Sequence, residues 1–333
     1  MATLLESFSQ MVTPQLVEQL AKTLDVPESG VVPGMNTAGA VVLGATSNRA
    51  SASTDDADEL LASLQQDTSL EGDIIQMVEE GREYPILDNL FGVGLTQVEE
   101  WIENTTQITI APFLPVATPL FMKLLRETVQ SQNLDSAGLT SLLKTEEEAF
   151  AKANPELASE VNAALDLGQD TVERAERHLA RFTPEEWDVL RQVPTLASYA
   201  VMMSALSGPV GLGKEMDALM EAMIEADNTQ EPDSLVGLVS RQFYDPEQIN
   251  ELGANPTNAV SMARDACLQA LAILNEKALP EETHAYKQFV VNVATQVAQA
   301  SNDGGILGLG GKPISDEEQM TLDLIAAALA YTP

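Results

Sequence analysis

Helical periodicity that carries its own punctuation leaves this chain the least freedom. Leu4, Leu5, Phe8, Met11, Val12, Leu16, Val17 and Leu20 recur three and four residues apart, the spacing that lines one face of a helix. Thr13-Pro14 interrupts the run as a cap followed by proline at the first helical position, where a missing N–H costs nothing. Thr183-Pro184-Glu185-Glu186 and Ser315-Asp316-Glu317-Glu318 are capping boxes, in which hydroxyl and carboxylate each satisfy a free N–H of the first turn. The first opens a helix with Trp187, Leu190 and Val193, which Pro194 is expected to kink or restart. The second opens the last helix, through Leu322, Ile325, Ala326 and Leu329, and Tyr286, Phe289, Val290, Val293 and Val297 form another stripe. Alternation of period two is confined to Gln107–Ile110. The expected fold is all-α.

Charge narrows the function classes. Against 17 Lys and Arg stand 51 Asp and Glu, a net charge of −34, split as −17 in residues 1–150 and −17 in 151–333. Such a surface repels phosphate backbones and anionic leaflets, which are bound through Lys and Arg. We therefore expect neither a nucleic acid nor a membrane as partner. The 44% of hydrophobic residues supplies real cores. Cys267 stands alone, so no intrachain disulfide and no cysteine-rich zinc site is expected. The opening MATLLESFSQMV lacks the basic region of a signal peptide, and Ile108–Leu125 is broken by Pro112, Pro115 and Pro119. These features predict a cytoplasmic protein. An even charge split suits a high-salt interior; a functional polyanion would cluster its charge on one face. Both readings stay open on sequence alone.

Two tandem multi-helix domains are expected, 1–150 and 151–333, divided in the charged segment Lys144–Pro155. Echoes occur within each. In the first, Val17-Glu18-Gln19-Leu20 resembles Val98-Glu99-Glu100-Trp101. Each is followed by a proline-containing loop, an apolar helix and an acidic start to a Leu-rich segment, so that 1–67 and 87–150 read as a duplication or as a chance likeness of helical hairpins. Ser47–Asp58, small and polar, reads as a flexible loop. In the second, helices run into Gly208–Gly213 and Gly304–Gly311, giving two helix–glycine-loop–helix units.

Residues 1 to about 150 resemble the YidB-like family of uncharacterised bacterial proteins. The likeness rests on the Leu/Gln-rich opening helix, Gln19-Leu20-Ala21-Lys22-Thr23-Leu24-Asp25-Val26 and the Leu134–Leu139 stretch; that family carries no assigned catalytic residues. The C-terminal part is similar to the tellurite-resistance TerB-like helical family, in which an Asp-Gly turn precedes a Ser/Thr-x-x-Glu cap. Asp303-Gly304 and Ser315–Glu318 match that pattern, while Ile306–Pro313 is a longer glycine-rich insertion and the Ser207-Gly208 copy lacks the acid.

Several candidate sites have plainer roles. Gly208–Lys214 fits the G-x-x-x-x-G-K half of a phosphate-binding loop, but Glu215 occupies the hydroxyl position and a helix precedes; a helix C-cap glycine and turn explain it. His178 and His284 lie in polar runs without a second histidine one turn away, and read as solvated helix positions. Cys267 falls on an apolar stripe. The expected metal site, if a divalent cation is bound as a cofactor, is Asp303 with Asp316, Glu317 and Glu318, although acids in a first helical turn already serve the helix dipole. Met202, Met203, Met216, Met220 and Met223 read as a buried face or an adaptable partner surface. With no catalytic constellation in view, the chain reads as a non-enzymatic interaction or assembly protein that binds a protein partner or itself, with Ile108–Met122 as a surface for another copy; the alternative is a divalent-cation-responsive stress module.

Overall fold

A computed structural model describes residues 2–66, 85–204, 208–243, 258–300 and 314–332, and among these every regular element is a helix. The chain divides into two compact units, Met1–Glu173 and Arg174–Pro333. Lys144–Pro155, where sequence puts the boundary, lies inside the first.

In the first unit α1 (Leu4–Met11) is opened by a capping box, Thr3 accepting from the Glu6 N–H at 3.1 Å and Glu6 accepting from the Thr3 N–H at 2.8 Å. Helix α2 (Pro14–Thr23) starts at the expected cap, Thr13. Helix α3 (Glu28–Ala52) then runs through the centre, buried on all sides from Val31 to Ser47 apart from Val32, Pro33 and the half-buried Asn36. Its small residues permit this. A Cβ on Gly34 would lie 2.2 Å from the Phe113 ring, and one on Gly39 would lie 2.7 Å from the Phe8 ring, so both positions admit an aromatic ring against bare backbone. Helix α4 (Thr54–Gln66) follows after a break of one residue, Ser53, whose hydroxyl accepts from the Asp56 N–H at 3.0 Å. The loop expected over Ser47–Asp58 is therefore helical on either side of Ser53. Weak local propensity is overridden by partners: Ser47 is buried and donates to Glu147 at 2.8 Å, and the Ala50 carbonyl receives the Thr140 hydroxyl at 3.1 Å.

Helix α5 (Pro85–Phe91) passes through a tight turn at Gly92–Gly94 into α6 (Leu95–Thr106). Gln107 ends α6 in the left-handed region, φ 60°, so the four-residue alternation there is an exit loop and not a strand. Helix α7 (Leu114–Gln132) buries Leu114, Val116, Ala117, Phe121 and Met122. Ile108–Met122 is thus largely core, not a surface for another copy; Pro115 sits in the first turn, where it leaves the helix intact. Helix α8 (Ser136–Ala153) is capped by Asp135, which accepts from Gly138 at 2.8 Å. Helices α7 and α8 each pack on α3, with α4 against α3, α7 and α8. Helix α9 (Pro155–Leu179) contains the division between units.

Among the described residues, the helices lying wholly in the second unit are α10 (Pro184–Ser204), α11 (Gly208–Thr229), α12 (Leu235–Arg241), α13 (Ala259–Lys277), α14 (Pro280–Ala300) and α15 (Asp316–Ala328). Helix α10 packs on α13, α14 and α15, while α11 packs on α14 and α12. Pro194 neither ends nor restarts α10. Lacking an N–H, it leaves the Leu190 carbonyl one turn earlier without its helical donor. The Tyr286 hydroxyl, on fully buried Tyr286 of α14, donates to that carbonyl at 2.6 Å. One side chain thus restores the bond that the proline removed, and the stripe Tyr286, Phe289, Val290, Val293 and Val297 is buried as its spacing predicts.

Candidate functional site

Helix α11 begins in the stretch that sequence reads as a glycine loop. From Gly208 to Thr229 the chain is one continuous helix, so the first of the expected glycine loops does not form. Burial of Leu219, Ala222, Met223 and Ala226 against the rest of the unit offsets the glycine cost, about 1 kcal/mol each relative to alanine. The helical amides of this segment do not converge as a phosphate loop requires, and Glu215 is buried, 1% exposed. Lys214 consequently has no nucleotide site to serve here. The second glycine stretch, with Asp303, lies outside the described residues.

The outward side of α11 carries two parallel rows. Leu212, Met216, Met220 and Ile224 recur every fourth residue; Leu212 is 37%, Met220 36% and Ile224 56% exposed, with Met216 half-buried. Residues four apart lie one above the other, so the row runs about 18 Å along the helix. Beside it stand Asp217, Glu221 and Glu225, again four apart and all exposed. Asp217 and Glu221 each precede by three residues the apolar side chain next to them, Met220 and Ile224. Among the described residues none of these three carboxylates makes an ion pair, whereas Asp227, off this row, is held by Arg241 at 3.1 Å. Past Glu225 a groove of about 300 Å³ opens between α11, α12 and α14, with Thr229, Gln288, Asn292 and Gln296 in its wall. Of the five methionines singled out in sequence, Met202 and Met223 are core, Met203 and Met216 are half-buried and Met220 is exposed. The pattern of Ile224 and the three acids is legible in sequence once a helix is assumed, but which face turns outward is not.

Of the two histidines expected at solvated positions, His284 is exposed as expected and His178 is not. His178 has a side chain only 12% exposed, with its Nε2 3.3 Å from Glu282. Burial and the Arg181 guanidinium lower its pKa below the ordinary value, against the pull of Glu282 and Asp233. Burial pushes Glu282 up, but Arg181, bonded to both its oxygens at 3.0 and 2.9 Å, and the Leu279 N–H bring it below the usual carboxylate range. The group is a structural latch between α9 and α14. His284 is exposed, its ring 5.9 Å from that of Tyr331, so the two histidines do not converge. Cys267 is buried, its thiol pushed up to about 12, and so is unreactive.

Of the proposed metal ligands, Asp316 and Glu317 are exposed, whereas Glu318 is buried and accepts from the Ser315 N–H at 2.7 Å. Glu318 is thereby engaged in its capping box. Among the described residues, no three His, Cys, Asp or Glu side chains form a group able to hold a metal, and no helix is long and apolar enough to cross a membrane. The first unit has a cleft of about 350 Å³ lined by Phe8, Asn36, Glu146 and Phe150; Glu146 already accepts from the Leu4 N–H at 2.6 Å.

A family described as bacterial proteins of unknown function, DUF937, matches residues 6–128. That stretch lies in the first unit, in keeping with the YidB-like resemblance, and no match supports the TerB-like likeness of the C-terminal part. No curated protein and no solved structure matches the chain.

Proposed function

We propose that this protein is a non-enzymatic, acidic interaction protein whose second unit presents α11 to a protein partner. The row Leu212, Met216, Met220 and Ile224 carries this reading. Single exposed apolar residues are ordinary on any surface, but a contiguous apolar row on a helix marks a surface that is covered in use. Methionine, unbranched and polarizable, suits a surface that must fit another protein. Two such rows brought together from separate copies would also bring together two rows of carboxylates on chains of net charge −34, so the favoured occupant is a different protein.

Met220→Glu with Ile224→Glu tests the reading. Both positions are exposed, so circular dichroism melting should match the wild type. Proteins cross-linked to the wild-type chain in an extract of its own cells should be lost from the double variant. Identical capture by both chains, or monomers that capture nothing at any ionic strength, would overturn the proposal.

A further inference from the structure

We infer that the partner of α11 is a basic amphipathic helix: one with an apolar stripe at helical spacing edged on one side by lysines or arginines. This rests on α11 being the interaction surface and adds what the surface selects. An apolar row about 18 Å long offers hydrophobic contact over three turns, the scale on which a helix laid in a groove is read through anchors at i, i+3 or i+4, and i+7. An extended strand would present its side chains with period two and fall out of register with rows of period four. The charge is specific in place as well as sign. Asp217, Glu221 and Glu225 form a row parallel to the apolar one, on its one solvent-facing flank, and none is neutralised by a described ion pair. On the other flank the helix turns into the core at Leu219 and Met223. A docked helix therefore meets carboxylates along a single edge, which fixes its rotation about its own axis and favours basic residues on that edge. The groove beyond Glu225, walled by Thr229, Gln288, Asn292 and Gln296, gives amide and hydroxyl groups for the ends of those long cationic side chains.

Fluorescence anisotropy on the full-length chain tests this with a labelled peptide of about 18 residues, five turns, built from leucine and lysine at helical spacing. A peptide of the same composition in strict alternation and a leucine–glutamate helix serve as comparisons. The leucine–lysine helix should bind at least about tenfold more tightly than either. Met220→Gln with Ile224→Gln, which removes the apolar side chains without adding charge, should weaken it by about tenfold or more. Asp217→Asn, Glu221→Gln and Glu225→Gln together should weaken it by about tenfold at low salt and little at high salt, because exposed charges are screened. The decisive comparison is a triple variant of equal charge change in the first unit, Glu18→Gln, Glu28→Gln and Asp55→Asn, all exposed. It should change affinity by less than about twofold, since none of these three carboxylates edges the apolar row of α11. Equal weakening by the two triple variants would overturn the inference and leave only attraction to a polyanion. Equal binding of the alternating peptide would overturn it as well. If no peptide binds while cross-linked capture still depends on Met220 and Ile224, the basic helix is wrong and the interaction reading survives. If sedimentation shows a dimer that Met220→Glu dissociates, a second copy covers the row and the inference falls.

Discussion

Helices α3 and α11 start from similar material and end in opposite environments. Both are long, at 25 and 22 residues, both carry glycine and proline near their beginnings, and both are rich in alanine and methyl-bearing side chains. Helix α3 is enclosed on all sides, and its glycines are the places where Phe113 and Phe8 press against bare backbone. Helix α11 buries one face and leaves Leu212, Met220 and Ile224 exposed beside the half-buried Met216. The difference lies in the residues between the apolar ones. In α3, Ala38, Gly39, Ala40 and Gly44 are small enough for other helices to approach from every direction. In α11, exposed Asp217, Glu221 and Glu225 flank a row in which Leu212, Met220 and Ile224 are exposed and Met216 packs partly against the core of the unit. A wholly enclosed helix contributes stability; a helix with an uncovered apolar row keeps some of that contribution for a partner.

The largest expected effect breaks the enclosed side of the comparison. Phe8 is 1% exposed and its ring lies 6.3 Å from that of Phe121. Phe8→Ala removes the ring that fills the notch at Gly39 and should cost about 3–5 kcal/mol, read as a lower midpoint in urea unfolding. A loss below about 1 kcal/mol would mean that α3 is not tightly enclosed.

Next comes the buried hydroxyl that completes α10. Tyr286→Phe keeps the ring and removes only the donor to the Leu190 carbonyl, so an acceptor stays buried and unpaired, costing about 1–3 kcal/mol. Pro194→Ala supplies the missing helical N–H and should recover much of that loss in the Tyr286→Phe background. The double-mutant cycle reads the coupling directly; additive effects would show that the tyrosine does not serve the proline's carbonyl.

Glu99 stands between the two extremes, half-buried on α6. Burial first, then the neighbouring Glu100 and Glu103, raises its pKa to about 7 from the ordinary 4.5. In the unfolded chain it titrates near 4.5. Between these values the folded state binds the extra proton, so this group's contribution to stability falls as pH rises from 4.5 to 7 and stays low above that. Glu99→Gln should therefore be close to neutral at pH 4 and stabilise by about 1–3 kcal/mol at pH 8. Thermal melts of both chains across that range provide the check, and equal differences at the two ends would contradict it.

Much of the fold is legible in the sequence, because caps and stripes act locally. Thr13, Thr183 and Ser315 open helices where their spacing says, and the α14 stripe is buried as read. What escapes is decided at long range. Ser47 and Ala50 look like loop residues until Glu147 and Thr140 are seen to bind them, and Pro194 looks like a break until Tyr286 is seen to repair it. Gly208–Gly213 looks like a loop because local propensity says nothing of the core that Leu219 and Met223 enter two turns later. His178 in its polar run gives no hint that Glu282, about a hundred residues on, covers it. The candidate surface is half legible: the four-residue spacing of both rows can be counted, but burial alone determines that Met223 turns inward while Met220 and Ile224 turn out.

The smallest expected effect is also the one that separates α11 from α3 most cleanly. Ile224→Gln on α11 replaces a side chain 56% exposed with one that water solvates better. Little transfer energy is lost in the isolated chain, so unfolding stability should stay within about 0.5 kcal/mol of wild type. In a bound complex that side chain would be desolvated, and there the same substitution removes a hydrophobic anchor. Equilibrium unfolding and peptide binding measured on the same preparation should therefore disagree: stability unchanged, affinity reduced. At Phe8 the order reverses, with stability lost and, at temperatures where the variant remains folded, binding by α11 unchanged. If Ile224→Gln lowers stability as much as a core truncation, the row is interior after all, and α11 is a second α3 rather than its counterpart.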